Sequence, residues 1–247
     1  MKNKSVIIVC GDPKSTFNGI LIKTLKNRIF KNVKFPIIII GSKKVFKKEL
    51  KKLKVKINLE NFDNPKNLSK KNIYNIDVPI DLKNFSLAKK NSYIEKSFKI
   101  ALNLLKKGDS LALINGPISK TTFLKGKYNG ITEFLAFKTR SHNEAMFLFN
   151  KDLSVSPMTT HIPINKVAQK IKKKMIISKI NSINNFYKKF LGFKPRIAVT
   201  GLNPHCETFK GKNIEKTEIL PAIKILKKKK IKGLRSPFCR YSFFKRK

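Results

Sequence analysis

Short apolar runs alternate with longer amphipathic segments along most of the chain. The apolar runs are rich in Val, Ile and Phe, a composition typical of buried strands, and they lie at 6–9, 35–40, 111–114, 146–149, 154–160 and 197–200. Apolar side chains that recur every three or four positions predict helices over 19–30, 43–54, 91–107, 165–175, 178–190 and 215–230, with further helical segments up to 124 and from 132. The alternation predicts a mainly parallel α/β sheet with helices on both faces.

Two stretches carry more specific expectations. Ser92 and Glu95 have the spacing of a capping box, so their helix is predicted to begin near Asn91. Residues 57–87 mix Asn, Asp and Pro with short apolar pieces, which predicts loops and one or two edge strands. We expect two lobes and a tail: a first α/β lobe over 1–128, a second over 129–232 that carries the metal and substrate residues, and an aberrant tail over 233–247.

Apolar runs and cysteines in the 247-residue sequence predict the cellular compartment. No apolar run approaches the length of a membrane-spanning helix, and the first run, 6–9, is too short for a signal peptide and is followed at once by Gly11-Asp12-Pro13. The three cysteines are an odd number without framework spacing. We therefore expect a cytoplasmic protein without a membrane partner.

The net charge of +42 at first favours a nucleic-acid partner. Only six of the 56 basic residues are arginine, however, and the lysines are spread along nearly every segment. Base recognition favours arginine, and aromatic side chains interleaved with a basic patch are not evident. We interpret the charge as a consequence of A/T-rich codon usage and expect no specific nucleic-acid partner. The positive field would also attract an anionic substrate.

Two of the three histidines end strand-like runs and lie within two residues of a proline. His161 follows Met158-Thr159-Thr160, and His205 follows the run 197–200 and its Gly-Leu-Asn-Pro turn. Ligands of open α/β sheets bind at the carboxyl ends of strands, and two imidazoles could share a divalent metal. The alternative is that both histidines are satisfied in a polar crevice. His142 has polar neighbours and is interpreted as a surface residue.

Three glycine-containing turns are weaker candidates. Lys120, in the turn 116–120, could lie near an anionic substrate, or it could be an ordinary exposed lysine. Thr132, in the segment 130–133, could hold a phosphate at a helix N-terminus, or it could be a plain N-cap. The segment 11–13 could be a turn and nothing more. The chain has neither a GxGxxG fingerprint nor a P-loop, so any nucleotide binding is of another type.

Five motifs occur in the order found in a known family. They are Gly-Asp-Pro at 11–13, Asn-Gly-Pro-Ile-Ser-Lys at 115–120, Gly-Ile-Thr-Glu-Phe at 130–134, Thr-Thr-His-Ile-Pro at 159–163 and Gly-Leu-Asn-Pro-His at 201–205. Together they resemble the 4-hydroxythreonine-4-phosphate dehydrogenase (PdxA) family of pyridoxal phosphate biosynthesis, from about residue 5 to residue 232. The motif that ends at His205 is the most specific of the five.

The resemblance implies an isocitrate-dehydrogenase-like fold and a homodimer whose site lies at the subunit interface. It also implies NAD-dependent oxidation of a small phosphorylated hydroxy amino acid to a keto acid, which then loses carbon dioxide. His161 and His205 would be two of three ligands of a divalent metal (Zn, Mg or Co) that polarises the substrate oxygen. Thr132 would bind the phosphate end of the substrate.

The chain departs from the family pattern in three places. Ile131 replaces a histidine of the family, and Lys14 to Asn18 replace a glycine-rich segment. Family members also continue beyond this chain into a segment with the third histidine, so we expect a C-terminally incomplete fold. One choice of codons for 235–241, shifted by one base, encodes Gly-Pro-Leu-Ser-Ala-Asp-Thr, close to the family pattern. We interpret the tail as an out-of-frame translation, from a frameshift or a sequencing error.

Two classes of function follow from these observations. The first is the decarboxylating dehydrogenase, either on 4-hydroxythreonine 4-phosphate or on another phosphorylated four-carbon hydroxy acid. The second is an inactive fragment, or a basic binding protein on an enzyme scaffold. Substrate-dependent NADH formation would support the first class, and steeply salt-dependent DNA binding without turnover would support the second.

Overall fold

A computed structural model describes residues 4–27, 32–69, 72–141, 144–203, 213–229, 231 and 234. His142, His205 and all of the predicted tail except Leu234 lie outside the described residues. Internal contacts divide the chain into an N-terminal unit, Met1–Phe134, and a C-terminal unit, Leu135–Lys247. The functional division into lobes at 128 and 129 stays a prediction.

The N-terminal unit is built on a five-stranded sheet. Its strands are β1 Ser5–Val9, β2 Ile37–Gly41, β3 Glu60–Asn61, β4 Ile73–Asp77 and β5 Ser110–Asn115. They are arranged in the order β3-β4-β2-β1-β5, and every pairing is parallel. The predicted parallel α/β architecture is therefore confirmed. The carboxyl ends of the strands lie at one edge of this sheet, where motifs 11–13 and 115–120 begin.

In the N-terminal unit, α-helices alternate with the strands as predicted, except between β3 and β4. The α-helices are α1 Phe17–Lys26, α2 Lys43–Lys52, α3 Leu87–Lys106, α4 Ile131–Thr139, α5 Val167–Lys170, α6 Lys173–Phe186 and α7 Leu220–Lys228. Short 3₁₀ turns cover Pro65–Asn67 and Ile164–Lys166, and π-helical turns cover Tyr187–Leu191 and Glu215–Ile219. Within the described ranges, no helix is both long and apolar enough to cross a membrane.

The strands β1 and β2 are buried on both faces, which explains their unbroken Val and Ile runs. On one face, Ile8 and Ile39 form a core cluster with side chains of α1 and of α2, including Ile22 and Phe46. On the other face, α3 contacts β1, β2 and β5. Helices therefore cover both faces of the sheet, as predicted.

Three aromatic rings pack between α3 and the start of α4. Phe98 is 1% exposed, and its ring centroid lies 5.5 Å from Phe134 in an edge-to-face arrangement. Phe123 lies 5.4 Å from Phe134 and 6.5 Å from Phe98. Edge-to-face and offset contacts are the favourable geometries for aromatic pairs. This aromatic cluster connects the 115–124 segment to α3.

The predicted start of α3 is wrong. The helix begins at Leu87, and the Ser86 hydroxyl accepts a hydrogen bond from the Lys89 N–H at 3.2 Å, so Ser86 is the N-cap. Ser92 lies inside the helix. A capping box binds the unpaired N–H groups at a helix N-terminus, so the one expected from Ser92 and Glu95 has no such groups to bind at this position. A serine six residues earlier therefore determines the start.

The predicted position of strand β5 is also wrong. Strand β5 was expected in the core, but it lies at the edge of the sheet, with Leu111 and Ile114 46% and 49% exposed. Residues 57–87 were expected to contain loops and one or two edge strands; β3 lies at the edge of the sheet, as predicted, whereas β4 pairs with β2 on one side and β3 on the other. The segment 118–124, expected to be helical, forms turns instead.

In the C-terminal unit, the three apolar runs predicted as strands do not form a sheet in the described residues. Runs 146–149 and 154–160 share one antiparallel bridge, between Leu148 and Val155. Run 197–200 contains a single bridge residue, Ala198, and alternate side chains, Ile197 and Val199, pack on the helical core that contains Ile180 and Ile223. A segment forms a β-strand only if its backbone N–H and C=O groups pair with a neighbouring segment. The apolar side chains of these runs, in contrast, can be buried by helices alone.

Candidate functional site

Two motif loops meet at the carboxyl ends of β1 and β5. The Gly116 N–H donates to the Val9 carbonyl at 2.7 Å, and the Asp12 N–H donates to the Pro117 carbonyl at 2.8 Å. A Cβ on Gly116 would collide with the carbonyl of Cys10. This close approach of two backbones requires glycine. Motifs 11–13 and 115–120 are therefore one structural feature.

The Asp12 carboxylate connects this edge of the sheet to α3. One oxygen accepts the Lys14 N–H at 3.0 Å, and the other lies 3.1 Å from the Lys90 Nζ. The Lys90 side chain is only 14% exposed. Lys120, the other charged candidate here, is exposed in a turn. The Asp12 carboxylate is therefore paired with groups of the protein itself, whereas the Lys120 side chain is exposed to solvent.

A depression lies beside the ends of β2 and β4, with a volume of about 310 Å³. The Tyr93 hydroxyl accepts the Ser42 N–H at 3.1 Å, and the Asp77 carboxylate accepts the Lys43 N–H at 2.8 Å. Burial raises the pKa of the neighbouring Cys10 thiol to about 12, and burial is also the main cause of the raised pKa of Tyr93. Cys10 is therefore a buried thiol that stays protonated near neutral pH.

Thr132 lies in the first turn of α4, half-buried, in the N-terminal unit. The Phe134 N–H donates to the Gly130 carbonyl at 3.2 Å, so the helix begins before Thr132, and Thr132 is not its N-cap. The first N–H groups of an α-helix have no partner within the helix and carry the positive end of its dipole. This geometry suits an anion.

His161 lies in the C-terminal unit and is exposed. Its φ is +53°, in the left-handed region that few residues other than glycine adopt. The Lys179 Nζ donates to the carbonyls of Pro157 and Met158 at 2.9 and 3.0 Å, which ties the preceding segment to α6. A strained backbone conformation held by its surroundings is frequent at functional sites.

The turn that precedes His205 is held by a buried acid. Glu215 is 4% exposed, and its Oε1 accepts the N–H groups of Leu202 and Asn203, each at 3.0 Å. Neither Glu215 nor Lys179 is distinguished in the sequence, because both lie within ordinary amphipathic helical patterns. Their roles depend on contacts with residues 12 to 22 positions away.

The candidate residues belong to different parts of the chain. Thr132 is in the N-terminal unit, His161 is in the C-terminal unit, and His205 is outside the described residues. Among the described residues, no three or more His, Cys, Asp or Glu side chains form a metal-binding group. The exposed imidazole of His161 suits zinc or cobalt chemically, but a complete metal site needs ligands in addition to those described.

The chain is similar in sequence and in structure to known proteins. The sequence profile of the family described as pyridoxal phosphate biosynthetic protein PdxA matches residues 33–247. A 4-hydroxythreonine-4-phosphate dehydrogenase from Sulfurihydrogenibium sp. is 36% identical over 230 residues, which cover 89% of this chain and 70% of the relative. A D-threonate 4-phosphate dehydrogenase from Salmonella typhimurium is 37% identical over 128 residues, 51% of this chain and 39% of the relative. The structure of a 4-hydroxythreonine-4-phosphate dehydrogenase from Klebsiella pneumoniae has a TM-score of 0.82 at 26% identity, over 95% of this chain and 74% of that one.

Proposed function

Because the chain belongs to the PdxA family, we propose that it is a dehydrogenase that oxidises 4-hydroxythreonine 4-phosphate in pyridoxal phosphate biosynthesis. The observation that carries this proposal is the 36% identity to a dehydrogenase of this substrate over 89% of the chain. The parallel sheet agrees with the isocitrate-dehydrogenase-like fold expected of the family. The substrate alcohol becomes a ketone, its proton is released, and the resulting keto acid loses carbon dioxide.

NAD is the proposed oxidant, and it would accept the hydride from the alcohol carbon. His161 and His205 are the proposed ligands of a divalent metal (Zn, Mg or Co), and a third ligand is required in addition. A metal bound there would supply Lewis-acid polarisation of the substrate oxygen. The exposed side chain of His161 on a backbone held by Lys179 supports this role.

Thr132 is the proposed ligand of the substrate phosphate. It lies in the first turn of α4, where backbone N–H groups can donate to phosphate oxygens. The net charge of +42 also favours the approach of an anionic substrate. Ile131 is apolar where the family has histidine, so Thr132 would bind phosphate without that polar neighbour.

The test of the proposed function is NADH formation by the purified chain, followed by absorbance. We expect turnover with 4-hydroxythreonine 4-phosphate, NAD and a divalent metal, and none without substrate. D-threonate 4-phosphate is the informative second substrate, because a relative 37% identical over half of this chain is a dehydrogenase of it. A higher kcat/KM on D-threonate 4-phosphate would reassign the substrate, and no turnover on either would contradict the proposal.

A homodimer is the proposed assembly. The C-terminal unit exposes an aromatic patch whose rings contact one another at centroid distances of 5.2 to 6.1 Å, formed by Phe147, Phe149, Phe186, Tyr187, Phe190 and Phe193. Phe149, Phe190 and Phe193 are each more than half exposed. Exposed apolar patches of this kind mark interaction surfaces, and a second copy is the commonest partner. Sedimentation velocity is expected to show a dimer, which Phe190→Asp converts to a monomer.

We place the enzyme in the cytoplasm. Cys10 is a free, buried cysteine, as expected in a reducing compartment. NAD and phosphorylated intermediates are available in the same compartment. Fractionation of cells that express the tagged chain would test this location, and recovery from the membrane or exported fraction would contradict it.

A further inference from the structure

The sheet of the N-terminal unit has a topological switch point between β1 and β5. Strands β2, β3 and β4 all lie on one side of β1, whereas β5 pairs with its other side. Open α/β sheets bind ligands in the crevice at such a point, outside the carboxyl ends of the strands. Two loops begin here, 10–16 after β1 and 116–124 after β5. A ligand of this unit is therefore expected between these two loops.

The two loops carry side chains that suit a phosphate group. Lys14 and Lys120 are exposed, one on each loop. Ser119 and Thr121 flank Lys120, and their hydroxyl oxygens lie 3.2 Å apart. Ammonium and hydroxyl groups donate hydrogen bonds, and those to an ionised acceptor are the stronger ones. This donor set fits the pyrophosphate of NAD, for which the sequence has no GxGxxG fingerprint.

Asp12 is the one acidic residue in the sequence of these two loops. An uncompensated carboxylate at this position would repel the phosphates of a cofactor. The Lys90 Nζ lies 3.1 Å from the Asp12 Oδ2, and the two side chains are only 14% and 22% exposed. Charges that are partly shielded from water interact more strongly than fully exposed ones. Lys90 therefore compensates the charge of Asp12.

The N-terminal end of α3, which carries Lys90, contacts both loops. The next residue, Asn91, donates from its Nδ2 to the Thr122 carbonyl at 2.9 Å, in the loop 116–124. In the loop 10–16, the Lys14 Nζ lies 4.0 Å from the centroid of the Phe85 ring, which directly precedes the N-cap of α3. Consecutive residues of one helix thus hold the two loops at the switch point.

We propose that Lys90 is a positioning residue for NAD, which pairs with Asp12 so that the loop 10–16 accepts the phosphates of the cofactor at the switch point. This inference rests on the proposed use of NAD as the oxidant. Lys90 acts through Asp12, and the donors to the phosphates are those of the two loops. Loss of Lys90 would leave the partly buried Asp12 carboxylate unpaired beside the cofactor.

The experiment is a calorimetric titration of the full chain with NAD. Lys90→Met is expected to raise the Kd for NAD by about tenfold, the effect of one unit charge at about 10 Å near a protein surface. Adding Asp12→Asn to Lys90→Met removes the unpaired charge and keeps an oxygen that can accept the Lys14 N–H, so the double variant is expected to recover most of the affinity. Thermal unfolding confirms that each variant is folded at the temperature of the titration.

The matched control is Lys89→Met. Lys89 is the exposed neighbour of Lys90 on α3, and its loss changes the net charge by the same amount. This control is expected to bind NAD like the wild type. Equal weakening by Lys89→Met and Lys90→Met would overturn the inference, because a general loss of positive charge would explain both. A double variant as weak as Lys90→Met alone would also overturn it, because the unpaired carboxylate would not be the cause.

NADH formation, measured alongside, separates this inference from the proposed function. NADH formation by the wild type, with unchanged NAD affinity in Lys90→Met, would overturn the inference and keep the proposed function. NAD binding that Lys90→Met weakens and the double variant restores, without NADH formation on either substrate, would support the inference and contradict the proposed function. No NAD binding by the wild type would overturn both.

Discussion

His161→Ala is expected to abolish substrate-dependent NADH formation, with kcat/KM at least about a thousandfold below the wild type. Polarisation of a substrate oxygen by a metal is worth several kcal/mol, and each 1.4 kcal/mol corresponds to about a factor of ten in rate. His161 is exposed on the surface of its unit, so its removal should leave folding unchanged. The measurement is steady-state kinetics on 4-hydroxythreonine 4-phosphate, with thermal unfolding of each variant alongside.

Two comparators make this result specific. His142→Ala removes the histidine interpreted from sequence as a surface residue, and it should retain wild-type kinetics. Thr132→Val keeps the shape of the side chain and removes its hydroxyl, so it should raise KM by about 10–100-fold, because hydrogen bonds to charged groups are worth about 1.5–3 kcal/mol. Turnover at saturating substrate should be largely retained, as for an interaction made equally in ground and transition states. Wild-type kcat/KM in His161→Ala would rule out the ligand role.

The fold of the N-terminal unit could be predicted because its signals are local. A strand buried on both faces needs an unbroken apolar run, and residues 37–40 are four consecutive isoleucines followed by a glycine. Such an unbroken run differs from the apolar spacing of an amphipathic helix, in which apolar residues recur every three or four positions. The predicted positions of β1, β2, α1 and α2 therefore agree with the structure to within a few residues at each end.

The errors occur where a partner elsewhere in the chain determines the outcome. Leu111 and Ile114 are as apolar as the residues of β1, and only the order of the strands places them at an edge. The runs 146–149 and 154–160 have strand composition, but a strand requires a neighbour that pairs along its length. In the described residues, their pairing is limited to the bridge from Leu148 to Val155.

The candidate site also has some features that local sequence signals predict and others that depend on distant parts of the chain. Motifs 11–13 and 115–120 were recognisable as segments, but their contact through Asp12 and Pro117 was visible only in the structure. Glu215 had no sequence signal at all, since an acid at the start of a helix is common. Residues that perform chemistry can be found from their type and spacing, whereas residues that hold them in place are found from long-range hydrogen bonds.

Phe98→Ala is expected to destabilise the N-terminal unit by about 3–5 kcal/mol, the usual cost of removing a buried aromatic ring. Phe98 is 1% exposed and contacts the rings of Phe123 and Phe134, so its loss leaves a cavity and removes two aromatic contacts. Because Phe123 and Phe134 belong to the segments on either side of Thr132, the change should also loosen the proposed phosphate site. The measurement is urea unfolding followed by circular dichroism.

The control for this prediction is Leu87→Ala, on the same helix. Leu87 is the first residue of α3 and is 51% exposed, so its truncation should change stability by less than about 1 kcal/mol. Both variants put alanine into α3, so a difference between their free energies of unfolding reports the effect of burial and not that of helix propensity. Equal losses of stability would show that the ring contacts do not hold α3 against the start of α4. A larger KM for substrate in Phe98→Ala, at a temperature where the variant is folded, would link this aromatic cluster to Thr132.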